Sequence, residues 1–186
     1  MFSDFFSRKP QVTVVASDIL RCNFLTQEGC IAIQETCKAL NSWSPELRDE
    51  YATYDIHLED SLPEFFNMIE EHFTSYILPS CIEYWQIPTF TLKTVFALKY
   101  SPDTQTSLKL HHDDSYISGS IKLNTNYKGA ELYFPSKNYD NSNVDAGQLL
   151  IWPSDITHRH GSKELLEGEK YSLTLWTTKD EEVRNI

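Results

Sequence analysis

The strongest constraint on the fold lies in the second half of the chain, where apolar and polar residues alternate from residue 92 onward. Alternation with period two, rich in β-branched and aromatic residues, is typical of strands that bury one face. This pattern predicts five strands, at 92–100, 115–124, 130–135, 147–153 and 171–178. Turn-rich segments such as SPDTQTS and SKNYDNSNVDAG separate them. Strands at such short spacing favour a β-sandwich or jelly roll.

The first half of the chain carries mostly helical periodicity. The segment 26–40 has apolar residues at helical spacing and begins with Thr26, a residue type that caps helices. A second helix is predicted at 60–78, with Pro63 in its first turn and Pro79 just past its end. A short strand is predicted at 12–20 and a loop at 41–55. Helices followed by strands indicate helices packed on one face of a jelly roll.

Length and charge limit the classes of protein that fit. The 186 residues suit one domain, which we expect to have N-terminal helical support at about 1–90 and a jelly-roll core at about 91–178. A net charge of −11 disfavours binding to nucleic acid, which depends on neutralising phosphates. No apolar run approaches the roughly 20 residues that span a membrane, and no secretory signal is evident, so we expect a cytoplasmic protein.

The sequence LHHDDS at 110–115 places two histidines beside two aspartates in a chain with only six histidines. Residues i and i+2 of a strand point to the same face, so an H-x-D sequence can aim an imidazole and a carboxylate at one metal ion. Two pairings satisfy this spacing, His111 with Asp113 and His112 with Asp114. The residues themselves leave both pairings open.

A third ligand would have to come from another strand. The histidines after residue 112 are His158 and His160, which follow the predicted strand at 147–153. Two histidines and one carboxylate cover one face of an octahedron and leave three positions open, the arrangement of non-haem Fe(II) oxygenases. Two open positions suit a chelating 2-oxo acid and the third suits dioxygen. Lys170 and Ser172, at the start of the last predicted strand, are placed to bind the distal carboxylate of such an acid.

Other site chemistries fit the sequence less well. A structural zinc site is disfavoured because no cysteine joins the set, and the four cysteines, which form no CxxC pair, are expected to be buried thiols. A serine hydrolase is disfavoured because the chain lacks a G-x-S-x-G sequence. His57 and His72 are expected to be structural or exposed.

Four segments carry a resemblance to a known family. They are FALKYSPDTQTSLKLHHDDSYISGSIKLN (96–124), THRHGSKELLEGEKYSLTLW (157–176), TYDIHL (53–58) and LTQEGCIAIQETCKALNSWS (25–44). The chain resembles the Fe(II)/2-oxoglutarate dioxygenases of the prolyl and lysyl hydroxylase superfamily. More narrowly, it resembles the catalytic domain of procollagen-lysine hydroxylases, over roughly residues 18–178. The resemblance implies a mainly β fold with flanking helices, a double-stranded β-helix of the cupin-like, jelly-roll type.

The resemblance also implies a ligand set. In the family pattern HHDAS, the ligands are the first histidine and the aspartate, which correspond here to His111 and Asp113. The distal histidine of the family corresponds to His160, and His158 becomes a neighbour of the site. The implied cofactor is Fe(II), with 2-oxoglutarate as cosubstrate and ascorbate as a further candidate.

The cosubstrate contacts implied by the resemblance are Lys170, Ser172 and Tyr100. Lys170 stands where the family has arginine. A planar guanidinium, which can donate two parallel hydrogen bonds to a carboxylate, is thus replaced by a compact ammonium group. Lys122 is the alternative partner for the distal carboxylate, because it lies on another predicted strand.

The implied activity is hydroxylation of a lysyl side chain in a peptide or protein. The alternatives are hydroxylation of prolyl residues, of free amino acids or of other small molecules. A metal-binding jelly-roll module without turnover is a further alternative of a different class. The sequence predicts neither a nucleic-acid nor a membrane partner, and it leaves the oligomeric state open.

Overall fold

The computed structural model describes residues 2–46 and 53–180. The helices are α1 (Gln27–Leu40), α2 (Leu58–Ser61), α3 (Pro63–His72) and α4 (Leu78–Trp85), with a π-helical segment Phe73–Ile77 between α3 and α4. The strands are β1 (Thr13–Ala16), β2 (Ile19–Asn23), β3 (Ser44–Glu46), β4 (Thr53–His57), β5 (Phe90–Tyr100), β6 (Leu108–His111), β7 (Ile117–Lys122), β8 (Lys128–Gly129), β9 (Leu132–Phe134), β10 (Tyr139–Asp140), β11 (Gln148–Pro153), β12 (His160–Ser162), β13 (Leu165–Glu167) and β14 (Lys170–Lys179). No helix in these ranges has the length and apolar content needed to cross a bilayer.

Two antiparallel sheets form the body of the molecule. The larger sheet has eight strands in the order β1-β2-β11-β7-β14-β5-β4-β3, and the smaller has four in the order β10-β9-β12-β6. A short pair, β13 with β8, lies beside them. The predicted mainly β, jelly-roll fold with flanking helices is confirmed.

The two faces of the larger sheet have different roles because side chains alternate along each strand. Val95 and Leu173 are fully buried on the face that packs against the helices, in a core that also contains Ile33 and Ile69. The alternate residues of β5 and β14 line a cavity on the other face. Successive residues of these strands therefore face the packed core and the cavity in turn.

The structure confirms the predicted start of the first helix and corrects the predicted end of the second. The Thr26 side chain accepts a hydrogen bond from the Gly29 amide (3.1 Å) and so caps α1, as predicted. The second helical region continues to Trp85, beyond the predicted end at residue 78. Pro79 lies in the first turn of α4, where its missing N–H costs little, and the π-helical segment before it changes the winding of the backbone.

The first 90 residues also contribute four strands, whereas the sequence predicted one short strand there, at 12–20. The predicted strand at 12–20 is a hairpin of β1 and β2, with Asp18 in a left-handed conformation at the turn. The predicted loop at 41–55 contains β3 and begins β4, while residues 47–52 lie outside the described residues. These four strands extend both edges of the larger sheet, so the boundary near residue 90 does not divide the sheet from a helical layer.

Candidate metal centre and cavity

His111 and His160 lie on adjacent strands of the smaller sheet. β6 ends at His111 and β12 begins at His160, and the two residues are paired in the antiparallel register. The centroids of their imidazole rings are 4.5 Å apart. The sheet register therefore brings together two histidines that are 49 residues apart in the chain.

Asp113 lies two residues beyond the end of β6, so its position does not follow from strand periodicity. The bend that carries it is fixed by Ser115, a buried residue whose hydroxyl donates to the Ile117 carbonyl (2.7 Å) and accepts from the Thr177 amide (2.9 Å). The Ser154 hydroxyl donates to the Ser115 carbonyl. These contacts attach the bend to the larger sheet and place the Asp113 carboxylate in front of the two histidines.

The potential ligand atoms of the three residues lie within 4.8 Å of one another. Asp113 Oδ1 is 3.2 Å from His111 Nε2, and Asp113 Oδ2 is 3.4 Å from His160 Nε2. Asp113 and His160 are buried, and His111 is partly buried. Among the described residues this is the one group of three or more histidine, cysteine or acidic side chains with metal-binding geometry.

Backbone carbonyls set the orientation of both imidazole rings. The Nδ1 atom of His111 lies 2.8 Å from the Lys109 carbonyl oxygen, and Nδ1 of His160 lies 2.9 Å from the His158 carbonyl oxygen. Because a carbonyl only accepts hydrogen bonds, each Nδ1 carries the proton. The lone pair of a neutral ring is then on Nε2 and points toward Asp113, which is the arrangement seen when a second contact orients a metal-binding histidine.

The negative charge of Asp113 between the two imidazole rings suits the binding of a cation. Burial opposes ionisation of Asp113, but its contacts with His111 and His160 outweigh burial and hold its pKa well below the usual range. Burial also acts to lower the pKa of His111, yet the hydrogen bond and charge of Asp113 raise it overall. Asp113 Oδ2 is buried and has no hydrogen bond of good geometry among the described residues. A metal ion between these atoms would compensate the buried negative charge.

The surroundings of His160 are aromatic. Its ring lies 5.0 Å from the Trp152 ring and 5.5 Å from the Phe134 ring, centroid to centroid, and both aromatic side chains are buried. Such walls exclude water from one side of the centre. A low-dielectric environment of this kind strengthens electrostatic interactions with a bound ion.

The other histidines and aspartate of the two motifs have different positions. His112 and Asp114 are exposed and line the outer part of the cavity. His158 is buried, and its Nε2 lies 3.1 Å from the Ser17 carbonyl oxygen. It contributes to the centre through its backbone, because its carbonyl orients the His160 ring.

A cavity of about 760 Å³ extends from the three residues between the two sheets. The predicted cosubstrate residues Lys170, Ser172 and Tyr100 all line it. Lys170 is buried, and its Nζ donates to the Ala130 carbonyl (2.8 Å) and to the Ser162 hydroxyl (3.3 Å). The same atom lies 4.5 Å above the centre of the Tyr100 ring, a cation–π contact.

The alternative lysine, Lys122, has a different environment. Lys122 is buried and donates to the Asn141 carbonyl (2.9 Å), and it does not line the cavity formed by the described residues. Burial, together with the nearby positive charge of Lys122, lowers the pKa of Lys170 to about 7. Bringing an anion beside Lys170 would favour its protonated form.

Known proteins with similar sequences are named as procollagen lysine hydroxylases. The chain is 24% identical over 173 residues to the rat multifunctional procollagen lysine hydroxylase and glycosyltransferase LH3, covering 84% of this chain and 23% of that protein. It is 26% identical over 176 residues to bovine procollagen-lysine,2-oxoglutarate 5-dioxygenase 1, covering 86% of this chain and 24% of that protein. The chain thus spans about a quarter of the length of these relatives.

Solved structures show a similar fold. A viral collagen prolyl hydroxylase from Paramecium Bursaria Chlorella virus-1 superposes with a TM-score of 0.68 at 14% identity, over 88% of this chain and 98% of that one. The chain is thus similar in sequence to procollagen-lysine hydroxylases and similar in fold to a prolyl hydroxylase. A Pseudomonas putida prolyl-4-hydroxylase has a TM-score of 0.61 at 15% identity, over 88% of this chain and 94% of that one. No protein-family model matches the chain. The resemblance to this superfamily predicted from the sequence is confirmed.

Several residues that line the cavity were not predicted from the sequence to belong to a site. Asp55 and His57 line the cavity from β4, although His57 was expected to be structural or exposed. Arg159 and Trp176 also line it. The alternation of Thr53, Asp55 and His57 along one strand face was a usable signal, but the predicted loop at 41–55 included the first two of them.

Gly161, which follows His160, is required by the close approach of β12 to β6. A Cβ atom at this position would lie 2.7 Å from the Leu108 carbonyl oxygen and 3.2 Å from atoms of Lys109. We expect Gly161→Ala to move β12 away from β6 and to weaken iron binding by about tenfold or more, since misplacing the support of a ligand costs about 10- to 100-fold in affinity. Titration with Fe(II) under anaerobic conditions measures this effect.

The matched control is Gly119→Ala. Gly119 lies in β7, where an added Cβ would be 3.0 Å from a Leu149 methyl group, the flexible end of a side chain. This variant should lose some stability but keep its iron affinity. Equal iron affinities of the wild type and Gly161→Ala would contradict the role given to Gly161.

Proposed function

We propose that the chain is an Fe(II)- and 2-oxoglutarate-dependent hydroxylase that acts on a lysyl side chain of a peptide or protein. The observation that supports this most is the presence, in one cavity, of the His111–Asp113–His160 group and the buried ammonium of Lys170. The relatives named as procollagen-lysine hydroxylases support the lysyl substrate.

In this proposal His111, Asp113 and His160 hold the iron through two Nε2 atoms and one carboxylate. Bound iron would supply the activation of dioxygen, and a facial set of three protein ligands leaves three positions for a chelating cosubstrate and oxygen. The carbonyls of Lys109 and His158 keep each ring in the tautomer that ligation requires. Trp152 and Phe134 keep water from the side of His160.

Lys170 would bind the distal carboxylate of 2-oxoglutarate. Two of its three donors are used by the Ala130 carbonyl and the Ser162 hydroxyl, which leaves one donor for the carboxylate. Ser172, next along the same face of β14, can supply a hydroxyl donor. Burial raises the pKa of Tyr100 to about 12, so its phenol stays neutral and adds no competing negative charge.

The proposal is tested by mixing the protein with Fe(II) and 2-oxoglutarate without oxygen and recording the visible spectrum. We expect a weak charge-transfer band from the chelated cosubstrate. Oxygen and a library of lysyl peptides should then give succinate and a mass increase of one oxygen atom on lysine. A band without any turnover would favour a metal-binding module, and a mass increase on proline would favour a prolyl hydroxylase.

A further inference from the structure

The rim of the cavity carries a positive side chain that has no part in the proposed metal centre. Arg159 lies between His158 and His160 in the chain, and its side chain is exposed and lines the cavity. Its Nη2 atom donates to the carbonyl oxygen of Leu110 (3.3 Å), the residue before His111. The guanidinium group is therefore held where the end of β6 meets the start of β12, beside the two histidines of the candidate centre.

Most of the hydrogen-bonding capacity of this guanidinium group is unused. Arginine has five N–H donors in one plane, and the contact with Leu110 uses one of them. Across residues 2–46 and 53–180, no acidic side chain forms an ion pair with Arg159, although Asp113 and Asp114 line the same cavity. Asp113 contacts the two imidazole rings instead. The remaining donors of Arg159 are available to a ligand.

The cavity has two positive side chains of lysine or arginine among the described residues that line it, Arg159 and Lys170. Lys170 is buried and donates to the Ala130 carbonyl and the Ser162 hydroxyl, in the position given above to the distal carboxylate of the cosubstrate. Arg159 is exposed, so it lies at the opening of the cavity. The two cations therefore serve different parts of the cavity, and a substrate that enters it passes Arg159.

A guanidinium group at this opening matches a carboxylate. Its planar set of donors can form two parallel hydrogen bonds to the two oxygens of one carboxylate. The net charge of −11 repels anions from the molecule as a whole, so a carboxylate on a substrate needs a local cation. Arg159 supplies that cation at a restrained position, because its contact with the Leu110 carbonyl limits the movement of the side chain.

We propose that Arg159 binds a carboxylate group of the substrate while the lysyl side chain extends to the metal centre. This inference rests on the proposed lysyl hydroxylase function, and it names a second feature that the substrate must have. Two sources of the carboxylate share the same chemistry. One is an acidic side chain near the target lysine in a peptide, and the other is the α-carboxylate of a free or C-terminal lysine.

The first comparison uses lysyl peptides that carry one glutamate at successive positions beside the lysine, each with a glutamine counterpart. Calorimetry measures their binding to the protein with Fe(II) and 2-oxoglutarate in the absence of oxygen. For the wild type, we expect the glutamyl peptide to bind about three- to tenfold more tightly at one or more positions. The factor is modest because the guanidinium group is exposed to solvent. In Arg159→Gln the two members of each pair should bind equally.

The second comparison tests the α-carboxylate. Free lysine and lysinamide have the same side chain and nearly the same size, but lysinamide lacks the negative charge. If the α-carboxylate is the group that Arg159 binds, the wild type should prefer lysine by a similar three- to tenfold factor, and Arg159→Gln should lose that preference. The pair of ligands that shows the effect identifies the source of the carboxylate.

Three controls separate this role from a general change in charge or structure. The charge-transfer band of Arg159→Gln with Fe(II) and 2-oxoglutarate should match that of the wild type, which shows that the metal centre has assembled. Arg159→Lys keeps the charge but loses the second parallel hydrogen bond, so its preference should be intermediate. Lys163→Gln also removes one positive charge. Lys163 follows β12, pairs with Asp140 (2.7 Å) and does not line the cavity formed by the described residues, so this variant should keep the wild-type preference.

The outcomes distinguish this inference from the proposed function. If the wild type hydroxylates lysine but binds the charged and uncharged ligands equally in both comparisons, the inference is overturned and the proposed function stands. A preference that survives in Arg159→Gln, or that Lys163→Gln abolishes to the same extent, also overturns it. If no lysyl ligand binds the wild type, the substrate assignment and the role of Arg159 both fail. If the wild type gives no succinate, the dioxygenase proposal fails, and the binding comparisons still decide whether Arg159 recognises a carboxylate.

Discussion

Replacing Asp113 with asparagine is expected to lower iron affinity by at least about 100-fold, whereas the same change at Asp114 should alter it less than threefold. Asp113 is buried with its two oxygens 3.2 Å and 3.4 Å from the Nε2 atoms of His111 and His160. Loss of an anionic ligand should exceed the 10- to 100-fold cost of losing a residue that only orients a ligand. Anaerobic titration with Fe(II), followed by the charge-transfer band, measures both affinities.

The pair of variants also decides the register of the HHDDS motif. His112→Ala joins Asp114→Asn as a control, because both side chains are exposed. If Asp114→Asn lost the metal while Asp113→Asn kept it, the ligand pair would be His112 with Asp114. A stability measurement is needed beside it, because Asp113→Asn removes a buried charge that the imidazoles partly compensate.

Replacing Lys170 with methionine is expected to raise the KM for 2-oxoglutarate by about 10- to 100-fold. A hydrogen bond to a charged group contributes about 1.5–3 kcal/mol, and about 1.4 kcal/mol corresponds to a factor of ten. Methionine is an unbranched side chain only one heavy atom shorter than lysine, so it removes the charge and leaves little empty space. The matched control is Lys122→Met, which removes the neighbouring buried ammonium that bonds to the Asn141 carbonyl. A larger effect at Lys122 than at Lys170 would exchange the roles of the two lysines.

The protonation of Lys170 should make the affinity for 2-oxoglutarate depend on pH. The pKa of Lys170 is lowered to about 7, from burial first and from the charge of Lys122 second, while Glu131 acts to raise it. A carboxylate binds the protonated form, so affinity for 2-oxoglutarate should be constant at low pH and fall as the pH rises through 7. The fall should approach tenfold per pH unit above the pKa. In Lys122→Met, we expect this fall to begin at a higher pH.

The sequence predicted the strands of the larger sheet better than those of the smaller sheet. β5, β7, β11 and β14 contain long alternating runs, so their existence and approximate limits followed from period two. β6 and β12 have four and three residues, too few for a periodic signal, and β6 was not predicted as a strand. The strands that carry His111 and His160 are therefore the ones that pattern alone identified least well.

The reason given from strand periodicity for pairing His111 with Asp113 differs from what the structure shows. We expected His111 and Asp113 to share a face of one strand, but Asp113 lies beyond β6 in a bend fixed by Ser115. The resemblance supplied the correspondence that periodicity did not. Asp55 and His57 were missed because β4 has only five residues and follows a polar segment. Their positions depend on long-range pairing with β5, which local patterns do not report.

The short strands of the smaller sheet have a consequence for the lifetime of the protein. Its four strands have only two to four residues each, so few backbone hydrogen bonds hold that sheet together. An ion bound by residues at the ends of β6 and β12 would add a cross-link between them, and its binding free energy would stabilise the ordered form of the sheet. When iron is scarce, this sheet would open more often and expose its backbone to proteases. The supply of iron would then control how long each molecule survives as well as whether it is active.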